Sequence, residues 1–113
     1  MARSIVKVSR ISEIDVINAI ESKSFRDMLG VEIDLVGAAV TEDVQNGKTE
    51  TRAYLFAADG EVYGGISDTV CGSVSMLIDY MNKMSGVGFK ASVSEKLSRN
   101  GRNFLTVTFR EVH

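Results

Sequence analysis

Side chains of two kinds alternate towards the C-terminus of this sequence. Lys90, Ser92, Ser94 and Lys96 occupy every second position, and beyond residues 98–102 so do Phe104, Thr106, Thr108 and Arg110. On a strand such alternation puts each set on one face. If the two runs pair across the turn, one face collects hydroxyls, a ring and cations, with Arg99 and Arg102 at the tip. Grouped cations neutralise phosphates and release counterions, giving attachment that depends on salt rather than base sequence. A ring among them offers a π-face to a base. The same residues also make an ordinary solvated strand face, with 99–102 a turn between charged ends. Residue types alone leave both readings open.

A second candidate lies upstream, where Arg52, Tyr54 and Phe56 share one face of a strand and Thr51, Ala53, Leu55 and Ala57 the other. Two rings beside a guanidinium suit base stacking, and they equally suit a core face; Phe56 reads as core and Tyr54 as exposed. The charge distribution adds a third group. The net charge is −2, yet residues 1–12 carry Arg3, Lys7 and Arg10 with no acid, and residues 13–80 carry thirteen acids against Lys23, Arg26, Lys48 and Arg52. Residues 81–113 are basic again, with Lys83, Lys90, Lys96, Arg99, Arg102 and Arg110 against Glu95 and Glu111. Basic ends around an acidic middle can form one positive stripe on a mildly acidic protein. Arg3, Lys7 and Arg10 are then expected to act as a flexible additional clamp.

Other chemistries find no support. The one histidine is His113, the final residue given, and the one cysteine is Cys71. Four soft zinc ligands do not exist, and neither does a positioned imidazole for a nucleophilic triad. No catalytic residue, metal or cofactor is expected, and the chain does not read as an enzyme. Asp59, followed by Gly60, reads as a turn residue, and Gly64-Gly65 lacks the spacing of a phosphate-binding loop. Met76, Met81 and Met84 read as helix packing, and Cys71 as a small buried hydrophobe. Apolar residues make up 44% and charged residues 25%, a globular composition. No apolar run nears the roughly 18 residues of a membrane span, and the first residues lack a signal-peptide core. A lone cysteine fits a reducing compartment, so a soluble intracellular protein is expected.

The elements that must position these residues can be read in order. Residues 4–8 form a short strand, and Ser12 caps a helix through Ile14, Ile17 and Ile20. Phe25, Met28 and Leu29 make a small apolar patch ended by Gly30. From Val31 the period becomes two, with Gly37 marking a bulge in the strand that runs through residues 31–40. Asn46-Gly47 is a hairpin turn into a strand over 49–58, and Asp59-Gly60 a second turn into 61–66. Ser67 or Asp68 then caps a helix whose stripe is Val70, Val74, Leu77, Ile78 and Met81, stopped by Gly86. Strands over 87–97 and 103–112 close the chain. The expected fold is mixed β with one helix (α+β), an OB-like five-stranded barrel in β-β-β-α-β-β order, preceded by a short N-terminal strand and helix segment. That order is shared with other small α+β sheets. One domain covers 1–113, with 1–30 an N-terminal extension and 31–113 the OB-like core.

The run Phe56-Ala57-Ala58-Asp59-Gly60-Glu61-Val62-Tyr63, then Ile66-Ser67-Asp68-Thr69-Val70 and Leu77-Ile78-Asp79, resembles the central block of the single-stranded-DNA-binding proteins of small protein-primed tailed phages. Weaker echoes flank it at Ser24-Phe25-Arg26, Phe89-Lys90, Asn100-Gly101 and Phe104, so the likeness covers roughly residues 24–112. The resemblance implies an early protein that coats single strands during phage replication, without sequence preference and without metal or cofactor, in the cytoplasm of the bacterial host. It also implies DNA contact by a stacking tyrosine, which adds Tyr63 to Tyr54.

The expected DNA-binding residues are therefore Arg52, Tyr54, Tyr63, Lys90, Lys96, Arg99, Arg102, Phe104 and Arg110, with Arg3, Lys7 and Arg10 as the clamp. Tyr54, Tyr63 and Phe104 stack on bases and the cations track phosphates. Self-association along the strand is expected, because a net negative domain binds weakly alone. The alternative is a phage protein–protein module that inhibits a host nuclease or defence protein through an acidic surface of Asp15, Glu21, Glu32, Asp34, Glu42 and Asp43.

Overall fold

Two turns set the register of the sheet. Asn46 and Gly47 both take positive φ, 53° and 76°, the two-residue hairpin geometry whose twist matches its strands. They join β3 (Glu32–Gln45) to β4 (Lys48–Ala57), paired antiparallel from Gln45 opposite Lys48 to Leu35 opposite Ala57. At the second turn the Asp59 carboxylate accepts the Glu61 backbone N–H at 2.9 Å, and Gly60 has φ 91°. Asp59 is thus the turn residue its position indicated, and β5 (Val62–Gly65) returns beside β4.

The computed structural model describes residues 2–19 and 22–112. Ile20 of the expected first helix, Glu21 of the acidic surface and the histidine His113 lie outside the described residues. The remaining elements are β1 (Ala2–Ser9), α1 (Glu13–Ile17), β2 (Lys23–Ser24), a 3-10 turn over Phe25–Met28, α2 (Asp68–Lys83), β6 (Gly88–Leu97) and β7 (Asn103–Val112). They form a mixed sheet ordered β2-β5-β4-β3-β6-β7, with β1 also paired to β3. The sheet curls into a half-barrel around one main helix, an arrangement compatible with an α+β OB-like fold. From Glu32 onward the elements run β-β-β-α-β-β, with the bulge between Leu35 and Gly37, but β1 and β2 join them, so the sheet has seven strands where five were expected.

That bulge divides β3 between two neighbours. Before it, residues 32–35 pair with β6; after it, residues 38–44 pair with β1. A bulge inserts one residue and shifts the inward–outward alternation. Ile33 accordingly joins the main core before it, and Ala38 and Val40 after it. Gly37 also permits close approach, since a Cβ there would lie 2.7 Å from the Ser9 carbonyl oxygen.

Ser67 caps α2 and lays Val70, Val74, Leu77, Ile78 and Met81 into the main core against Leu55, Phe89, Ala91 and Val107. Cys71 is buried there, its thiol aimed at the carbonyls of Thr51 and Gly65, and burial pushes that thiol up from its usual range. A second, smaller core lies on the opposite face of β4, where Tyr54 and Phe56 pack with Ala39, Val16 and Ala19. The N-terminal residues build this second core, and Phe25 and Met28 enter the main one. The division at residue 30 therefore does not coincide with a division in the packing.

Gly64 and Gly65 admit the two rings that close these cores. A Cβ on Gly64 would meet the Tyr54 ring at 2.9 Å, and one on Gly65 the Phe25 ring at 2.9 Å. Gly64→Ala and Gly65→Ala are each expected to lower the unfolding free energy by about 1–3 kcal/mol through overpacking. Gly72→Ala, on the exposed side of α2 with nothing within 4 Å of the new Cβ, should raise it by about 0.5–1 kcal/mol. Denaturant unfolding followed by circular dichroism measures all three.

Candidate nucleic-acid interface

The two runs of alternating residues near the C-terminus do pair. Lys90 stands opposite Arg110, Ser92 opposite Thr108, Ser94 opposite Thr106, and Lys96 opposite Phe104. Their other faces carry Ala91, Val93 and Val107, buried against α2, so these four rungs point away from the main core. The Ser94 and Thr106 hydroxyls lie 3.1 Å apart. Beyond the rung of Glu95 and Leu105, where Arg26 holds Glu95 at 2.7 Å and Leu105 packs against the main core, the hairpin leaves the body of the protein, and Lys96 and Leu97 are exposed. Ser98 accepts the Arg102 backbone N–H, and Gly101 at φ 77° completes the tip.

The cations on this face fall into two groups. At the base, Arg110 makes a two-pronged contact with the Glu32 carboxylate at 2.9 and 2.7 Å, and Lys90 lies 3.4 Å from Asp34. The guanidinium holds the Glu32 carboxyl below its ordinary range. At the tip, Lys96, Arg99 and Arg102 make no ion pair among the described residues and are exposed. The free positive charge therefore concentrates at the outer end of the hairpin, beside the half-buried Phe104.

Other expected site residues take different places. Tyr54 is 1% exposed and offers no face to a base, because α1 and the end of β1 cover that side of β4. Tyr63 is also buried, packed into the main core. Arg52 lies on the other arm, opposite Thr41, with its guanidinium on Glu50 at 2.9 Å. The acids named for a protein-binding surface are partly engaged as well: Glu32 and Asp34 in the pairs above, Asp43 in a buried one.

The basic start is not a free clamp. The Arg3 side chain is 8% exposed, and its N–H groups are all taken up. Nε and Nη2 donate to the Asp43 carboxylate at 2.9 Å each, Nη1 to the Val16 and Ala19 carbonyls at 3.0 and 3.2 Å, and Nη2 also to the Tyr54 hydroxyl at 2.7 Å. The guanidinium lies 5.1 Å from the Tyr54 ring centre. Arg10 does for α2 what Arg3 does for α1: it donates to the carbonyls of Met84 and Val87 while lying over the Phe89 ring. Cations at helix C-termini satisfy orphan carbonyls and complement the helix dipole. Lys7 pairs with Asp79 of α2 at 2.7 Å.

Tyr80, outside the expected set, also stands beside this hairpin. It is 45% exposed and lies edge-on to Phe89 with ring centres 5.8 Å apart. Its hydroxyl donates to Glu111, which holds it above the usual phenol range. With Met76, Phe109 and Arg110 it lines a groove of about 560 Å³ between α2 and β7. Its position three residues after Leu77, at the margin of the apolar stripe, is the signal that marks it.

An exposed hydroxyl-and-cation face on a curled sheet defines a candidate nucleic-acid-binding protein. The family described as phage single-stranded DNA-binding protein matches residues 3–110, and the chain belongs to that family. Single-stranded DNA-binding proteins of Bacillus phages phi29 and PZA are each 35% identical to it over 68 residues, 60% of this chain and 55% of theirs. That of Bacillus phage B103 is 35% identical over 60 residues, 53% of this chain and 49% of the relative. The chain thus spans about half the length of the curated relatives it matches. No solved structure matches it.

Arg3→Met would leave the buried Asp43 with only the partly exposed Arg52, 3.7 Å away, as counter-charge, a change expected to cost up to about 3–5 kcal/mol. Combining it with Asp43→Leu should recover part of that loss, read as a return of the denaturation midpoint. Equal midpoints for the single and double variants would count against a buried pair.

Proposed function

We propose that this protein binds single-stranded DNA without sequence preference, coating and protecting strands exposed during phage DNA replication in the bacterial cytoplasm, and that it does so without catalysis. The observation that carries this reading is the face of the β6–β7 hairpin, where four rungs of hydroxyls, cations and one ring lead to the unpaired Lys96, Arg99 and Arg102. Membership of the family supports it.

In this mechanism phosphates follow the tip cations and Phe104 stacks on a base, while serine and threonine hydroxyls donate to phosphate or sugar oxygens. No base edge is read, so affinity follows salt. Lys90 and Arg110 contribute only when a phosphate displaces Asp34 or Glu32. Tyr54 and Tyr63 act through packing.

The test is a titration of fluorescent oligo-dT at several salt concentrations, with a duplex control. Arg99→Glu combined with Arg102→Glu should abolish binding with the melting temperature kept. Neutral replacement of Lys96, Arg99 or Arg102 should flatten the slope of log K against log salt by about 0.7 for each phosphate left without its cation. Phe104→Ala should cost about 1–3 kcal/mol. Glu32→Gln releases Arg110 and should tighten binding. No binding of the wild-type chain at low salt would sink the proposal and leave a protein partner as the reading to pursue.

A further inference from the structure

The outer edge of β7 is a built surface that the single-strand reading does not use. β7 runs Asn103–Val112 and pairs only with β6 among the described residues, so its other side presents unpaired backbone N–H and C=O groups. Exposed edges are ordinarily blunted by proline, a bulge or a charge. Here the chain has no proline, the β6–β7 ladder runs without a register shift, and residues 103–109 carry no charge. The most exposed large apolar side chain, Met76 at 75%, lies on the inward side of this edge, on the groove beside Phe109.

We infer that this edge pairs antiparallel with β7 of a second copy, about a two-fold axis through Val107. The sequence is self-complementary in that register. Thr106 lies opposite Thr108 of the partner subunit, and Leu105 opposite Phe109 of the partner subunit. Phe104 lies opposite Arg110 of the partner subunit, and Asn103 opposite Glu111 of the partner subunit. Hydroxyl and apolar pairs of this kind stabilise antiparallel strands, and no like charges meet. Moving the axis to Thr106 would set Arg102 against Arg110 of the partner subunit. The same patch serves both copies, so the contact closes as a dimer.

The pairing joins the two outward faces on one side of a continuous sheet. On the inward side Leu105 of each copy reaches the mouth of the groove holding Phe109 of the partner subunit. None of this requires DNA, so it stands or falls separately from the binding reading.

Sedimentation of the full chain without nucleic acid tests it, with a concentration-dependent monomer–dimer equilibrium expected. Thr106→Lys combined with Thr108→Lys opposes cations on both central rungs and should weaken the dimer at least about tenfold at an unchanged melting temperature. Thr106→Cys should form a disulfide with Thr108→Cys when the two variants are mixed, and not with itself. A wild-type chain that stays monomeric would overturn the inference. So would a double lysine variant that dimerises like wild type, or Thr106→Cys linking to itself as readily as to the mixed partner.

Discussion

The fold turns on one buried guanidinium. Arg3 reaches across four elements, holding Asp43 on β3, the Tyr54 hydroxyl on β4 and the last carbonyls of α1, while its own backbone lies on β1. A charge removed from water is tolerated only when a counter-charge and a full set of acceptors replace its hydration. Both are present, and Thr41 adds a donor to the Asp43 carboxylate at 3.2 Å. The geometry that satisfies the ion also fixes where α1 rests. It thereby closes one half of the sheet's outer face and leaves the hairpin half open to solvent.

Charge in this protein has two uses that its distribution along the chain does not separate. The cations of the first ten residues serve helix ends and a helix side chain. Those of the last thirty are divided by depth along the hairpin: near the body they meet β3 carboxylates, and beyond the reach of β3 they meet none. A strand that stops pairing at residue 32 cannot neutralise what lies further out. The positive tip is thus a consequence of where β3 ends its contact with β6.

Local signals carried far. Asn46-Gly47, Asp59-Gly60, Ser67 and the alternation from residue 88 onward marked the turns, the cap and the face of the hairpin, because each depends on near neighbours. Burial of Tyr54 did not follow, since alternation says which residues share a face and nothing about what covers it. A clue was present: Ala53, Leu55 and Ala57 on one side and Tyr54 and Phe56 on the other make β4 apolar on both, the mark of a strand buried twice. The pairs of Arg110 with Glu32 and Arg10 with residues 84 and 87 span more than seventy positions and leave no trace in spacing.

Arg10 also has a meaning in time. Its acceptors lie 74 and 77 residues downstream, and the β3 residues that pair with β1 are themselves some thirty or more positions later. At about 5–20 residues per second of synthesis, β1 waits several seconds before the end of α2 exists for its neighbouring arginine to cap. The strands that β1 and α1 pack against are complete by residue 57, yet this first strand and its arginine find their last partner only when everything but the final two strands has been translated.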